Sequence, residues 1–149
     1  VLGTHGRSFY KTNVSLLQEV AGKTEAALVL QTPQNLKSSR RWGSSWSPWL
    51  PAFEPTANIS FYNSKKGTAK VQVTHSSGVV VFEKTIDADA GVNAISYDVS
   101  ISKDGLKNLK KQKISVYPAQ NGKVYLPKGT YTIAVSAQGQ SQTTAWEIQ

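Results

Sequence analysis

At 149 residues, 39% of them hydrophobic, the chain is long enough for one domain with a real core and too short for a second full one. The absence of cysteine excludes disulfides, thiolate metal sites and a cysteine nucleophile, and no run approaches the roughly 18 apolar residues of a membrane span. A formal charge of +8 raises the question of nucleic acid, but Arg40-Arg41, Lys65-Lys66, Lys107, Lys110-Lys111 and Lys113 fall in different predicted loops, with no arginine-rich helix or aromatic RNA-binding strand beside them, so no nucleic-acid partner is expected.

Methionine is also absent and the first residue is valine, from which we expect a piece of a longer protein. Residues 1–11 read as two short strand-like pieces hinged on Gly6, too short to make a sheet alone. Ser15 is a possible helix cap, Leu16, Leu17 and Val20 have helical spacing, and Gly22 ends the helix. The apolar run at residues 26–30, closed by Pro33, predicts an extended segment.

From residue 34 to 55 the chain turns to Ser, Pro and Trp with no period. Three of the four tryptophans lie here, which a disordered linker would not carry, so we expect an ordered irregular arm. Regular signals follow. Strands are predicted at residues 58–63, 69–74, 79–86 and 93–101, with turns at Lys65-Lys66-Gly67, Ser76-Ser77-Gly78 and Asp89-Ala90-Gly91. Ile95, Tyr97, Val99 and Ile101 share one face of the fourth. Ser102 caps a predicted short helix with Leu106 and Leu109 as its apolar stripe. Residues 113–117 read as a strand and Asn121-Gly122 as a turn.

The clearest signal comes next: Val124-Tyr125-Leu126 as a strand, Pro127-Lys128-Gly129 as a tight turn, then Tyr131, Ile133 and Val135 alternating with polar residues. Gln138-Gly139-Gln140 turns the chain into a last strand at 143–148. About seven short strands with frequent turns predict an all-β fold, an immunoglobulin- or fibronectin-III-like antiparallel sandwich with an irregular N-terminal extension and one or two short helices.

Leu2-Gly3-Thr4-His5-Gly6-Arg7-Ser8-Phe9-Tyr10 resembles the last propeller strand of bacterial sortilin-like (VPS10-type) BNR-repeat proteins often labelled glycosyl hydrolases. The pattern of Ser60-Phe61-Tyr62, Val71-Gln72-Val73, Gly91-Val92-Asn93 to Tyr97-Asp98, and Leu126-Pro127-Lys128-Gly129-Thr130-Tyr131 is similar to the sandwich that follows that propeller. It is also similar to immunoglobulin-like modules related to the flagellar hook-capping protein and to C-terminal secretion modules. The resemblance implies residues 1–30 as the end of a propeller and its connection, 31–56 as an arm packed on the sandwich, and 57–149 as the sandwich. It also implies export and a propeller as partner. No Asp-box (Ser-x-Asp-x-Gly-x-Thr-Trp) occurs, so no catalytic residue carries over.

The residues themselves offer little chemistry. His5 and His75 lie in different predicted parts with no acidic cluster or second histidine at ligand spacing, so each is read as exposed or packing. Asp87-Ala88-Asp89 supplies two carboxylates, short of the about 6–8 oxygens calcium takes, and reads as an acidic turn. We therefore expect no catalytic set, no metal site and no cofactor. Trp42, Trp46 and Trp49 with Arg40 and Arg41 are the candidate binding residues, for a sugar or a peptide, since flat rings beside polar donors suit pyranose faces and proline-rich chains. The competing reading makes the same rings a strap, stiffened by Pro48, Pro51 and Pro55, that packs on the sandwich or the propeller. The expected function is a non-catalytic accessory module docking to or presenting the propeller, with a carbohydrate-binding module as the alternative.

Overall fold

Alternation of apolar and polar residues places Ile59 and Phe61, Val71 and Val73, and Tyr131, Ile133 and Val135 on the inward faces of their strands, all buried. A computed structural model describes residues 2–3, 9–10, 15–21 and 27–149. Nine strands and two helices are defined among them: β1 Leu2–Gly3, β2 Phe9–Tyr10, α1 Ser15–Ala21, β3 Leu28–Leu30, β4 Ala57–Asn63, β5 Gly67–His75, β6 Val80–Ala88, β7 Gly91–Tyr97, α2 Lys103–Lys111, β8 Gly129–Ala137 and β9 Gln140–Ile148.

Seven of the strands form two antiparallel sheets, β3-β4-β7 and β6-β5-β8-β9, and the predicted β-sandwich is the fold. Their inner faces share one core that runs from Ile59 and Phe61 through Val71, Val81 and Ile133 to Trp146. Leu28–Leu30 pairs with residues 61–63 of β4, so this strand of the N-terminal segment is part of the sandwich. Strands β1 and β2 pair with each other, Leu2 opposite Tyr10. The predicted hinge at Gly6, His5 and the helix stop at Gly22 lie outside the described residues.

Three predicted strands end differently. Strand β7 stops at Tyr97 although Val99 and Ile101 keep the inward alternation and are buried. The Asp98 carboxylate accepts hydrogen bonds from the Ser100 N–H and hydroxyl, at 3.2 and 2.6 Å, and turns the backbone through a left-handed Val99, φ 61°. Residues 124–126 do not form a hairpin with β8. They run back along residues 99–101, with Tyr125 opposite Ser100 and bonds from Ile101 N–H to Val124 O and from Leu126 N–H to Val99 O. Tyr131, at the start of β8, instead donates its hydroxyl to Pro127 O at 2.7 Å, the tyrosine corner of immunoglobulin-like sandwiches. Residues 113–117 belong to no strand.

Helix α2 begins where the sequence indicates: Ser102 Oγ accepts from the Gly105 N–H at 3.1 Å. Gly105 lets the helix lie directly on β6, since a Cβ there would stand 2.9 Å from Val81 Cα. Leu109 closes that end of the core. The helix ends in a Schellman motif, with Ile114 N–H on Leu109 O, Lys113 N–H on Lys110 O and Lys113 in the left-handed conformation.

Candidate functional site

The arm joins β3 to β4 and crosses from one sheet to the other. After Leu30 the Gln31 N–H still bonds Ser60 O, and the chain then passes Pro33 to the outer edge of β9. There Leu36 lies parallel to Ile148, with the Leu36 and Ser38 N–H groups on Glu147 O and Gln149 O. Trp146, on β9 and buried, donates its indole N–H to Gln34 O at 3.0 Å. The arm thus covers an edge that would otherwise be open to pairing with another chain.

Trp42 is 8% exposed and packs edge-on against Tyr125, ring centroids 6.0 Å apart. It is one of the candidate binding residues, and it is committed to the core. Gly43, at φ 74°, lets the arm close on the body: its N–H donates to Phe53 O and its carbonyl accepts from the Asn121 N–H. The Phe53 N–H returns to Ser44 O, so residues 44–53 form a closed loop. Within it Ser45 Oγ donates to Leu50 O at 2.7 Å, and the Ser45 N–H reaches Gln120 Oε1 at 3.3 Å.

At the tip of this loop Trp46 and Trp49 are 93% and 91% exposed, and Leu50 and Phe53 are exposed beside them. The Arg41 guanidinium stands 5.8 Å over the Phe53 ring. Arg40 is exposed on the other side of the arm, bordering a groove whose floor includes Trp42. The five residues singled out in the sequence therefore divide three ways. Trp46 and Trp49 belong to the loop, with Arg41 standing over its Phe53, while Trp42 belongs to the core and Arg40 to the groove. Trp46 borders a depression shared with Ser45, Gln120 and Asn121, polar residues that the sequence reading did not include because residues 120–121 lie far along the chain.

Behind the loop, charged groups fix the arm's exit. Lys123 Nζ lies 2.9 Å from Glu54 and 2.7 Å from Asp98. Burial works to raise the Asp98 pKa, but the hydrogen bonds from Lys123 and Ser100 outweigh it and hold the carboxyl below its usual value. The same partners, Asp98 first and Glu54 second, raise the Lys123 pKa. His75 packs edge-on against Tyr131 at 5.4 Å and bonds Ser77 through Nδ1. Asp89 pairs with Lys66 at 3.3 Å. No group of three His, Cys, Asp or Glu side chains converges among the described residues, and no helix among them is long and apolar enough to cross a membrane.

No protein-family model matches the chain, and no curated protein matches it. Among solved structures it is similar to a β-D-glucoside glucohydrolase from Trichoderma reesei, at 11% identity and TM-score 0.37 over 89% of this chain and 22% of that one. It is also similar to a β-glucosidase from Listeria innocua in complex with glucose, at 8% identity and TM-score 0.37 over 81% of this chain and 15% of that one. A β-glucosidase from Erythrobacter marinus matches at 12% identity and TM-score 0.34, over 82% and 15%. The chain spans 15–22% of the length of these three structures. Likenesses at this level carry no argument, and the fold rests on the sheet topology.

Proposed function

We propose that this chain is a non-catalytic β-sandwich module of a larger exported protein, and that the tip of its arm docks against another domain of that protein, a preceding propeller. One observation carries the reading. A loop tied at its base to Phe53, Asn121 and Gln120 holds Trp46, Trp49 and Leu50 out in water. Large exposed rings on an ordered loop are what a contact surface presents before its partner arrives. At the arm's exit Lys123 is engaged between Glu54 and Asp98, holding that end in place. In this reading β1 and β2 are the end of the propeller, as the resemblance of residues 2–10 implies.

A second reading, carbohydrate binding, is favoured by the Ser45, Gln120 and Asn121 side chains that border the depression beside Trp46. Rings with adjacent hydrogen-bonding groups suit a sugar face.

Acrylamide quenching separates the two. Trp46 and Trp49 are expected to be accessible in this chain, protected in the longer protein, and unchanged by a panel of soluble oligosaccharides. Equal access in the two proteins overturns docking. Saturable protection by one glycan, lost in a Trp46→Ala, Trp49→Ala variant, establishes the second reading instead.

A further inference from the structure

Residues 114–117 have the alternation of a strand without a strand's partners. Ile114 and Val116 pack toward the core, whereas Ser115 and Tyr117 face outward, with Tyr117 80% exposed. Among the described residues, none of the main-chain groups of Ser115, Val116 and Tyr117 is hydrogen-bonded to protein. Pro118 ends the piece and the Schellman turn at Lys113 begins it, so it is anchored at both ends. A short run of open N–H and C=O groups on an anchored backbone is a template for one more strand.

The surroundings specify what kind. A groove separates residues 115–117 from residues 38–40 of the arm, and its floor includes Trp42, Tyr125 and Leu126. Arg40 borders this groove, and a second depression at the other flank of residues 115–117 is bordered by Lys110 and Lys113. No Asp or Glu lines either depression. The apolar floor suits the alternate side chains of an extended peptide, and the cations suit carboxylates on its outer face.

We propose that this groove receives an extended, acidic polypeptide segment, which pairs with the main chain of residues 115–117 and sets a carboxylate against Arg40, while Lys110 and Lys113 on the other flank add longer-range attraction. This surface meets the base of the aromatic loop at Ser44 and Gln120 but includes neither Trp46 nor Trp49, and it does not depend on the docking reading of those two rings.

The test is fluorescence anisotropy with a labelled short peptide of alternating valine and glutamate. Three comparison ligands are the same peptide N-methylated at alternate residues, its valine–lysine counterpart, and an oligogalacturonate of similar length. We expect saturable binding of the valine–glutamate peptide, weakened about tenfold or more by N-methylation and by replacing glutamate with lysine. An Arg40→Glu, Lys113→Gly variant is expected to weaken it similarly, since glycine suits the left-handed cap position and removes only the charge. A Trp46→Ala, Trp49→Ala variant should bind as the parent does. N-methylation alters the ligand and not the protein, so it tests main-chain pairing even where a variant misfolds. Equal binding of the N-methylated peptide, binding of the oligogalacturonate alone, or binding of none of the four overturns the proposal.

Discussion

Tyr131 is buried, yet its hydroxyl has a partner four residues back, so the ring fills the core while its polar end closes the turn into β8. Burial pushes its phenol pKa up, so it remains a donor throughout the neutral range. Tyr131→Phe keeps the ring and abandons Pro127 O, and should cost about 0.5–1.5 kcal/mol in urea unfolding, with little change in the slope. Asp98 carries a pH dependence. Its carboxyl titrates lower in the folded chain than in the unfolded one, so the unfolded chain binds more protons on acidification. The stabilisation is therefore present above about pH 3.9 and is lost as pH falls through the lowered folded value. Lys123 is shifted the other way, so its contribution is present below about pH 10.4 and is lost as pH rises through the raised folded value. Because Lys123 is 41% exposed, solvent screening limits the pair. Asp98→Asn should cost about 0.5–1 kcal/mol at neutral pH, and this difference should shrink in urea titrations as pH falls below about 3.9 and through the lowered folded value. Undiminished destabilisation in acid would assign the effect to packing.

Among the elements, the β8–β9 hairpin shows a local preference overruled by a distant contact. Gln138 and Gly139 both have positive φ, 53° and 74°, between the paired Ala137 and Gln140, a turn for which Asn-Gly is the preferred sequence. Glutamine stands there because its amide reaches the buried Asn63 Oδ1 at 2.7 Å and Lys65 O at 2.9 Å, joining this hairpin to the β4–β5 turn. Gln138→Asn should improve the turn by a few tenths of a kcal/mol but leave Asn63 Oδ1 unsatisfied, for a net loss of about 1–2 kcal/mol by thermal unfolding. A stabilised variant would contradict that account. The same tension between local pattern and distant partner explains what was readable in the sequence. Strands β4, β5 and β8 were legible because buried and more exposed residues alternate along each, and β6 and β9 because an obvious turn precedes each. Val99 and Ile101 keep that alternation through a buried turn, and periodicity alone does not separate a turn at Asp98 from a continuing strand. At Val124-Tyr125-Leu126 the residues read correctly as extended, but their partner is the stretch at 99–101. Residues 114–117 keep the period but pair with no strand among the described residues.

For the whole molecule, the arm decides how the two sheets are joined at their edge. Its order was legible from three tryptophans in one proline-rich stretch, but which ring would be buried was not, because that depends on Tyr125 and Asn121 meeting Gly43. Gly43→Ala would bring a Cβ within 2.6 Å of Ala119 Cβ and Asn121 Oδ1, at a φ that disfavours it. The expected cost is about 2–5 kcal/mol, taken from the arm before the sandwich. Trp42 emission should shift to the red at urea concentrations where far-ultraviolet circular dichroism still reports the sheets, and coincident transitions would show arm and sandwich to be one cooperative unit. The arm's attachment also has a schedule. Gln34 and Trp146, whose hydrogen bond fixes it to β9, are 112 residues apart in sequence. At about 5–20 residues per second of synthesis, roughly 6–22 seconds separate the appearance of the arm from that of its anchor. Until residue 125 has been made, Trp42 lacks the Tyr125 ring that packs against it, and the nascent chain carries its most aromatic stretch uncovered. Ribosome-bound chains stopped before residue 125 should therefore be cut by chymotrypsin at Trp42, and released full-length chains should resist.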